Sequence, residues 1–576
     1  MPKPIDSRFR YMPGLDGLRA IAVLAVVAYH LNIKTVPGGL LGVTLFFVLS
    51  GYLITDILMK QLERQKKPDI RTFLIRRARR LLPAMLLMLA IVSFCLLISD
   101  VPRLVSLLGE IGSALLYLYN WHLITKEVSY FESFGPPSPF GHLWSLAVEE
   151  QFYLFWPFIL AVAVRLASRR GKLATGLLAG AMLSALLMVL LYKSGSDPSR
   201  VYYGTDTRAF ALLIGAALAV VWPSWKLTRT VSERSRRILD GAGVAGLLII
   251  GFMMARVGEY DSFLYRGGMV LFALAAAAVV AVLAHPANRL ARFVGIKPLK
   301  WIGVRSYGIY LYHYPVIVLT TPLLERVEFN PLRALFQIVL TAALTELSWR
   351  YLEEPIRKGG FIPYMNNFMR QVKDRSIRSK LVRAVVSFAA VILILTTVAC
   401  MNNTGQPSVN SLKNVQTSGS GQLPEGGLTA IGDSVILGVA SGLEKRLPGI
   451  VIDGEVGRQL SHSVDVVEGL KSSGRLGDTV IVQLGTNGIF SMKQLEALLE
   501  AIGPERQILL VNTRVPRDWQ DKVNETLAKA ADMADNVKLV DWYAASEGFD
   551  DIFAKDGVHF NQKGIDMYVN LLVESL

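Results

Sequence analysis

From the N-terminus to about position 400, apolar residues run in long stretches separated by short, basic loops. The stretches occupy residues 18–33, 40–58, 81–98, 143–164, 173–192, 208–224, 239–256, 268–284, 306–325, 333–350 and 383–400. At about 1.5 Å per helical residue, most are long enough to cross a hydrocarbon layer of about 30 Å, so the pattern predicts a multipass α-helical membrane domain. A twelfth stretch, 104–121, is interrupted by Glu110, Gly112 and Asn120. The loops Lys60 to Arg80, Arg165 to Lys172, Lys226 to Arg237, Arg289 to Arg305 and Arg350 to Arg383 are strongly basic. All of them fall on one side only if 104–121 does not span. That choice gives eleven spans, about ten in the body of the domain plus one linking helix, with the N-terminus cytoplasmic and the C-terminus outside. The first stretch has no small-residue cleavage site after it and reads as a retained helix.

Beyond position 400 the pattern changes. Met401 to Gly427, rich in Asn, Ser, Gly and Thr, reads as a flexible linker. Short β-type runs at Leu428–Ile431, Thr479–Gln483, Gln507–Asn512 and Val537–Val540 then alternate with helical stretches such as Met492–Ile502 and Asp521–Ala534. This alternation predicts a parallel sheet with crossover helices. The expected organisation is a membrane domain over 1–360, a cytoplasmic segment and final transmembrane helix over 361–400, a linker over 401–427 and an extracellular domain over 428–576.

Composition sharpens this division. Of 576 residues, 52% are hydrophobic and 19% charged, against roughly 25% charged in ordinary soluble proteins. The net charge of +15 conceals two opposite halves: residues 421–576 hold 14 Lys and Arg against 23 Asp and Glu, or −9, leaving +24 for the rest. Basic loops against an anionic leaflet, with an acidic domain attached, argue for membrane lipid as a partner and against nucleic acid. Cys95 and Cys400 both lie in apolar runs, so neither a disulfide framework nor a metal site is expected.

Three short motifs carry candidate chemistry in the C-terminal region. Ile431-Gly432-Asp433-Ser434 closes the first strand, Gly485-Thr486-Asn487 follows another, and Asp556-Gly557-Val558-His559 stands near the end. A serine at the carboxyl end of a strand is exposed where α/β sheets build their sites. It needs a base, and the base needs a group that fixes its tautomer. Each motif alone is weak, but their order and setting together are specific. The region resembles the SGNH hydrolase/acyltransferase family, which implies a three-layer α/β/α fold. The resemblance makes Ser434 the nucleophile, His559 the general acid/base and Asp556 its orienting carboxylate. It assigns the oxyanion hole to the Ser434 N–H, the Gly457 N–H and the Asn487 side-chain amide. Gly457 reads equally well as a turn glycine, and Asp433 as a brace for the nucleophile turn.

Within the apolar stretches, polar side chains are expensive and mark candidate sites. Arg19 and His30 stand eleven residues apart, which places them on one helix face about 16 Å apart, with Asp16 on the same stripe. His142, Ser145 and Glu149 follow i, i+3, i+7 spacing, and Glu149-Glu150 favours a water-lined interior. The tyrosines of Ser306 to Pro315 read as an aromatic belt. The run Arg76-Arg77-Ala78-Arg79-Arg80 reads either as topogenic charge or as a site capturing a polyanionic cytoplasmic donor, because arginine forks match phosphate oxygens.

These stretches, with Gly42 to Tyr52 and Glu353-Glu354-Pro355, resemble the acyltransferase-3 family over about the first 360 residues. The resemblance implies cytoplasmic acetyl-CoA as acyl donor, with no permanently bound cofactor, and surface carbohydrate as acceptor. It implies roles in acyl transfer for Arg19, His30 and Glu149, with Arg76, Arg77 and Arg80 as further donor-binding candidates. Ser50 and Gly51 read as residues that let helices approach closely. The fusion of the two parts resembles the bifunctional peptidoglycan O-acetyltransferases of Gram-positive bacteria. It implies acetyl-Ser434 formation and then attack by a cell-wall glycan hydroxyl, the C6 hydroxyl of a muramoyl residue being favoured. Two alternatives stand beside it: acylation of another surface glycan, or an extracellular esterase joined to a non-covalent transporter. Inverted hydropathy repeats would favour the transporter, and none is evident.

Overall fold

The computed structural model describes residues 11–65, 69–126, 128–130, 137–167, 169–193, 198–228, 230–321, 329–360, 363, 426–455, 458–460, 463–516, 519–554 and 557–576. The main helices before position 360 are α1 (Pro13–His30), α2 (Leu41–Gln65), α3 (Ile70–Ser99), α4 (Leu143–Leu166) and α5 (Arg170–Leu191). They continue with α6 (Thr205–Val221), α7 (Glu233–Arg256), α8 (Met269–Ala284), α9 (Ser306–Thr320) and α10 (Pro331–Ser348). Local chemistry sets several of their ends. Pro13 and Pro331 open α1 and α10, where a missing N–H sacrifices no helical bond. Asp69, Ser232 and Asn330 cap α3, α7 and α10 by accepting from backbone N–H groups of the first turn.

Among the described residues, seven helices, α2 to α8 with their flanking turns, are long and apolar enough to cross a membrane. The protein is a multipass membrane protein. Ten of the eleven expected helices are present: besides these seven, α1, α9 and α10 form where the apolar stretches predict them, though they are shorter or more polar. The stretch 383–400 lies outside the described residues. The interrupted stretch 104–121 is no single helix. It breaks into Val101–Ser106, Leu108–Leu115 and Tyr119–Thr125, with Tyr117 at φ +55°; a helix of eight residues reaches only about 12 Å.

The helices cross where small residues let backbones touch. A Cβ on Gly51 of α2 would strike the Leu212 carbonyl of α6, and one on Gly215 of α6 would strike the Val48 carbonyl of α2. Reciprocal contacts of this kind suit a membrane interior, where packing rather than water expulsion joins helices. The outer faces carry exposed apolar side chains such as Leu183 and Phe252, which fits contact with lipid. The basic loops gather at one end of the bundle: Glu63 pairs with Arg170 and with Lys226 (3.0 Å), and Glu233 with Arg289 (3.3 Å).

The C-terminal region holds five parallel strands, β1 (Leu428–Gly432), β2 (Val451–Gly454), β3 (Thr479–Gln483), β4 (Gln507–Val511) and β5 (Val537–Val540), in the order β2-β1-β3-β4-β5. Helices α11 (Ser434–Arg446) and α15 (Gln562–Ser575) cover one face, where Ala430, Ile481 and Leu509 point. Helices α12 (Ser463–Ser472), α13 (Met492–Ile502) and α14 (Gln520–Met533) cover the other, with Ile431, Val480, Val482 and Leu510. Successive strand residues thus serve opposite cores, and the three-layer α/β/α sandwich with a parallel sheet is as expected. The edge strand β2 was not anticipated. It is four half-buried residues long and ends in Asp453-Gly454, too short and polar to stand out as a β-type run.

Candidate active site

Between α1, α2, α3, α4 and α9 lies a partly open cavity. Arg19, Arg77 and Arg80 line it together with Glu149, Ser145 and Tyr310. The Arg77 guanidinium lies 4.7 Å over the Tyr153 ring, and Arg19 pairs loosely with Asp16 at 3.4 Å. Ser50 Oγ donates to Glu149 at 2.9 Å, while Tyr153 Oη donates to Ser50 at 2.8 Å. Three guanidinium groups thus line one cavity with the Glu149 carboxylate, and arginine forks of this kind match phosphate oxygens. Two expectations change here. Ser50 is a polar partner of Glu149 rather than only a small residue for close packing, a role that falls to Gly51. Arg76 is exposed and does not line the cavity.

Polar contacts continue beyond the cavity. Tyr310 Oη meets Ser145 Oγ at 2.6 Å and donates to the His142 carbonyl at 2.9 Å. Pro315 lies inside α9 and has no N–H for the carbonyl four residues back. That carbonyl belongs to Leu311, and His142 Nε2 donates to it at 3.1 Å. Above this level His30 Nδ1 meets His313 Nε2 at 2.9 Å, and His30 Nε2 meets the Tyr130 hydroxyl at 2.8 Å. Arg19 and His30 therefore both face this polar column from α1, as their spacing requires. The aromatic-belt expectation fails for Tyr310 and Tyr312, which are buried inside the bundle.

In the α/β domain, Ser434 is the first residue of α11, directly after β1. Its N–H belongs to the unpaired amides of a helix N-terminus, which favour a developing negative charge. Asn487 follows β3, the strand next to β1, so both residues stand where the strand order reverses. Asn487 is buried, and its Nδ2 donates to the Arg458 carbonyl at 3.3 Å. The Arg458 side chain in turn donates to the Gly432 carbonyl (3.2 Å) and the Asp453 carbonyl (2.6 Å), tying the ends of β1 and β2 to this loop. Asp433 caps α11 by accepting from Val435 N–H at 2.9 Å. Burial pushes its carboxyl up to about 7, against the lowering influence of that N–H, of Thr486 and of neighbouring His559. His559 is half-buried, and its carbonyl accepts from Ala554 N–H at 2.7 Å. Asp556 and Gly457 lie outside the described residues.

A family model described as an acyltransferase domain matches residues 12–349. The peptidoglycan O-acetyltransferase OatA of Listeria monocytogenes is 41% identical, over 98% of this chain and 98% of its own. The chain belongs to the acyltransferase-3 family. It is an O-acetyltransferase. The putative peptidoglycan O-acetyltransferase YrhL of Bacillus subtilis is 38% identical, again over 98% of both chains. A solved C-terminal catalytic domain of Streptococcus pneumoniae OatA is 21% identical, with a TM-score of 0.25, and covers 26% of this chain and 92% of its own.

In this acyltransferase the structure brings Arg19, Arg77, Arg80 and Glu149 to one cavity and His30 to the column above it. It brings Ser434 and Asn487 to one sheet edge. Sequence reasoning overlooked His313 and Tyr130 as partners of His30. A histidine inside an apolar stretch was a usable signal for His313, whereas Tyr130 lies outside any periodic element and offered none.

Proposed function

We propose that this acyltransferase moves acetyl groups from cytoplasmic acetyl-CoA across the membrane and onto peptidoglycan, at the C6 hydroxyl of muramoyl residues. The reading is supported by the polar column inside the helix bundle, which runs from three arginines to His30. Arg19, Arg77 and Arg80 hold the donor's phosphates, and its pantetheine arm extends along the roughly 16 Å between Arg19 and His30. His30 acts on the thioester end, and Glu149 helps to position the donor beside the arginines. The clustered basic loops face the cytoplasm with the N-terminus, and the α/β domain lies outside.

There Ser434 takes the acetyl group as an ester and His559 activates the glycan hydroxyl that removes it. Asp556 orients His559. The Ser434 N–H, the Gly457 N–H and the Asn487 amide hold the oxyanion. Ping-pong kinetics follow.

The test is mass spectrometry of wall glycan from cells carrying wild-type protein or Ser434→Ala. Loss of the acetyl mass increment from muramoyl residues is expected, at about 10⁴- to 10⁶-fold in turnover. Retention of that increment sinks the covalent route. Unchanged muramoyl residues in wild-type cells, with acetyl on another polymer, reassign the acceptor.

A further inference from the structure

The hydrogen bonds around His30 contain more information than its proximity to the polar column. His313 Nδ1 faces the Tyr310 carbonyl at 2.6 Å and the Ile309 carbonyl at 3.1 Å. A carbonyl only accepts, so His313 carries its proton on Nδ1. Its Nε2 is then a bare lone pair, and this atom meets His30 Nδ1 at 2.9 Å. His30 must therefore donate from Nδ1. With its proton on Nδ1, a neutral His30 presents an unprotonated Nε2 to the Tyr130 hydroxyl at 2.8 Å.

We propose that His313 is a positioning residue for acyl transfer in the membrane part: it holds the His30 proton on Nδ1 and leaves Nε2 bare as the base. His313 is buried and reaches the donor only through His30. The inference rests on the reading of His30 as a base and adds what determines the working tautomer. When His30 Nε2 takes the proton of an attacking hydroxyl, that oxygen bonds to the acetyl carbon and the C–S bond breaks. The proton then passes to the departing thiolate, giving an ester and free CoA thiol. In the opposite tautomer, Nε2 would donate to the hydroxyl and no base would be present.

Full-length protein in lipid nanodiscs, open to solution on both faces, is given acetyl-CoA and soluble peptidoglycan strands, and thiol release is followed. His313→Ala should lower kcat by about 10- to 100-fold, part of the 10²–10⁴ that a general base supplies. The KM for acetyl-CoA should stay within about twofold, since the arginines that bind the donor are untouched. His313→Gln keeps an acceptor oxygen near the Nε2 position and should restore most of kcat. A misfolded or loosened bundle would raise KM along with the loss of turnover and would not be rescued by glutamine. His313→Ala with wild-type kcat, or His313→Gln as slow as alanine, overturns the proposal even where His30→Ala is inactive. His30→Ala with wild-type turnover overturns the base reading itself and this inference with it.

Discussion

The two parts of the molecule place their polar side chains by different means. In the membrane bundle, site residues reach each other side chain to side chain across helices far apart in sequence. His30 and His313 are separated by 283 positions, and Ser50 and Glu149 by 99. In the α/β domain, backbone geometry at strand ends does the placing. Ser434 stands at a helix start, capped by the residue before it, and Asn487 follows the adjacent strand. A parallel sheet presents its carboxyl edge automatically, whereas a helix bundle has no such edge and must hold each polar group by a specific partner. Mutations in the bundle should thus propagate through packing and partners, while those in the α/β domain should act on the step they touch.

The largest expected effect that separates the two parts is at Asn487. Asn487→Ala should lower acetyl transfer to glycan by about 10²–10³-fold with little change in KM, as loss of one oxyanion donor does. Acetylation of Ser434 by an active ester, followed by mass spectrometry, locates the defect. An unaffected rate would remove Asn487 from the oxyanion site. A smaller effect concerns pH. Asp433, raised to about 7 in the fold, binds more protons folded than unfolded, because an ordinary aspartate titrates near 4. Its stabilising contribution is therefore full below about pH 4 and is lost as pH rises to 7. Asp433→Asn retains a capping oxygen and should remove up to about 3–4 kcal/mol of this dependence. Thermal unfolding of the full chain between pH 4 and 7 would show it as a flatter slope, and an unchanged slope would count against a buried, protonated Asp433. The smallest effect lies in the bundle. Gly51→Val drives a side chain into the Leu212 backbone, and overpacking of this kind typically destabilises by about 1–3 kcal/mol. It should lower the thermal midpoint and reduce thiol release at His30, with no direct defect at Ser434. Equal damage to thiol release and to acetylation of Ser434 by an active ester would erase the contrast between the parts.

Much of the fold was legible because it depends on local pattern. The strands Thr479–Gln483 and Val537–Val540 and the helix Met492–Ile502 have the bounds their residues suggested. Interior polarity was legible only as a flag. Arg19, His30 and Glu149 stood out in apolar stretches, but the stretch around His313 looked like an interfacial belt until α9 was packed against α1 and α4. Arg76 and Arg77 are neighbours in one run, yet one is exposed and the other lines the cavity. Adjacent helical residues point about 100° apart, and sequence does not say which direction is inward for a helix on the rim.

The sequence alone therefore determined which segments are apolar helices, where strand and helix alternate, and which serine and amide follow strand ends. These are properties of neighbouring residues and of periods of two or 3.6. Only the tertiary structure decided that Ser50 serves Glu149, that His142 satisfies the carbonyl freed by Pro315, and that His313 governs the protonation of His30. Each depends on helices meeting at a given rotation and depth, which close contacts such as Gly51 against Leu212 set and no local pattern records.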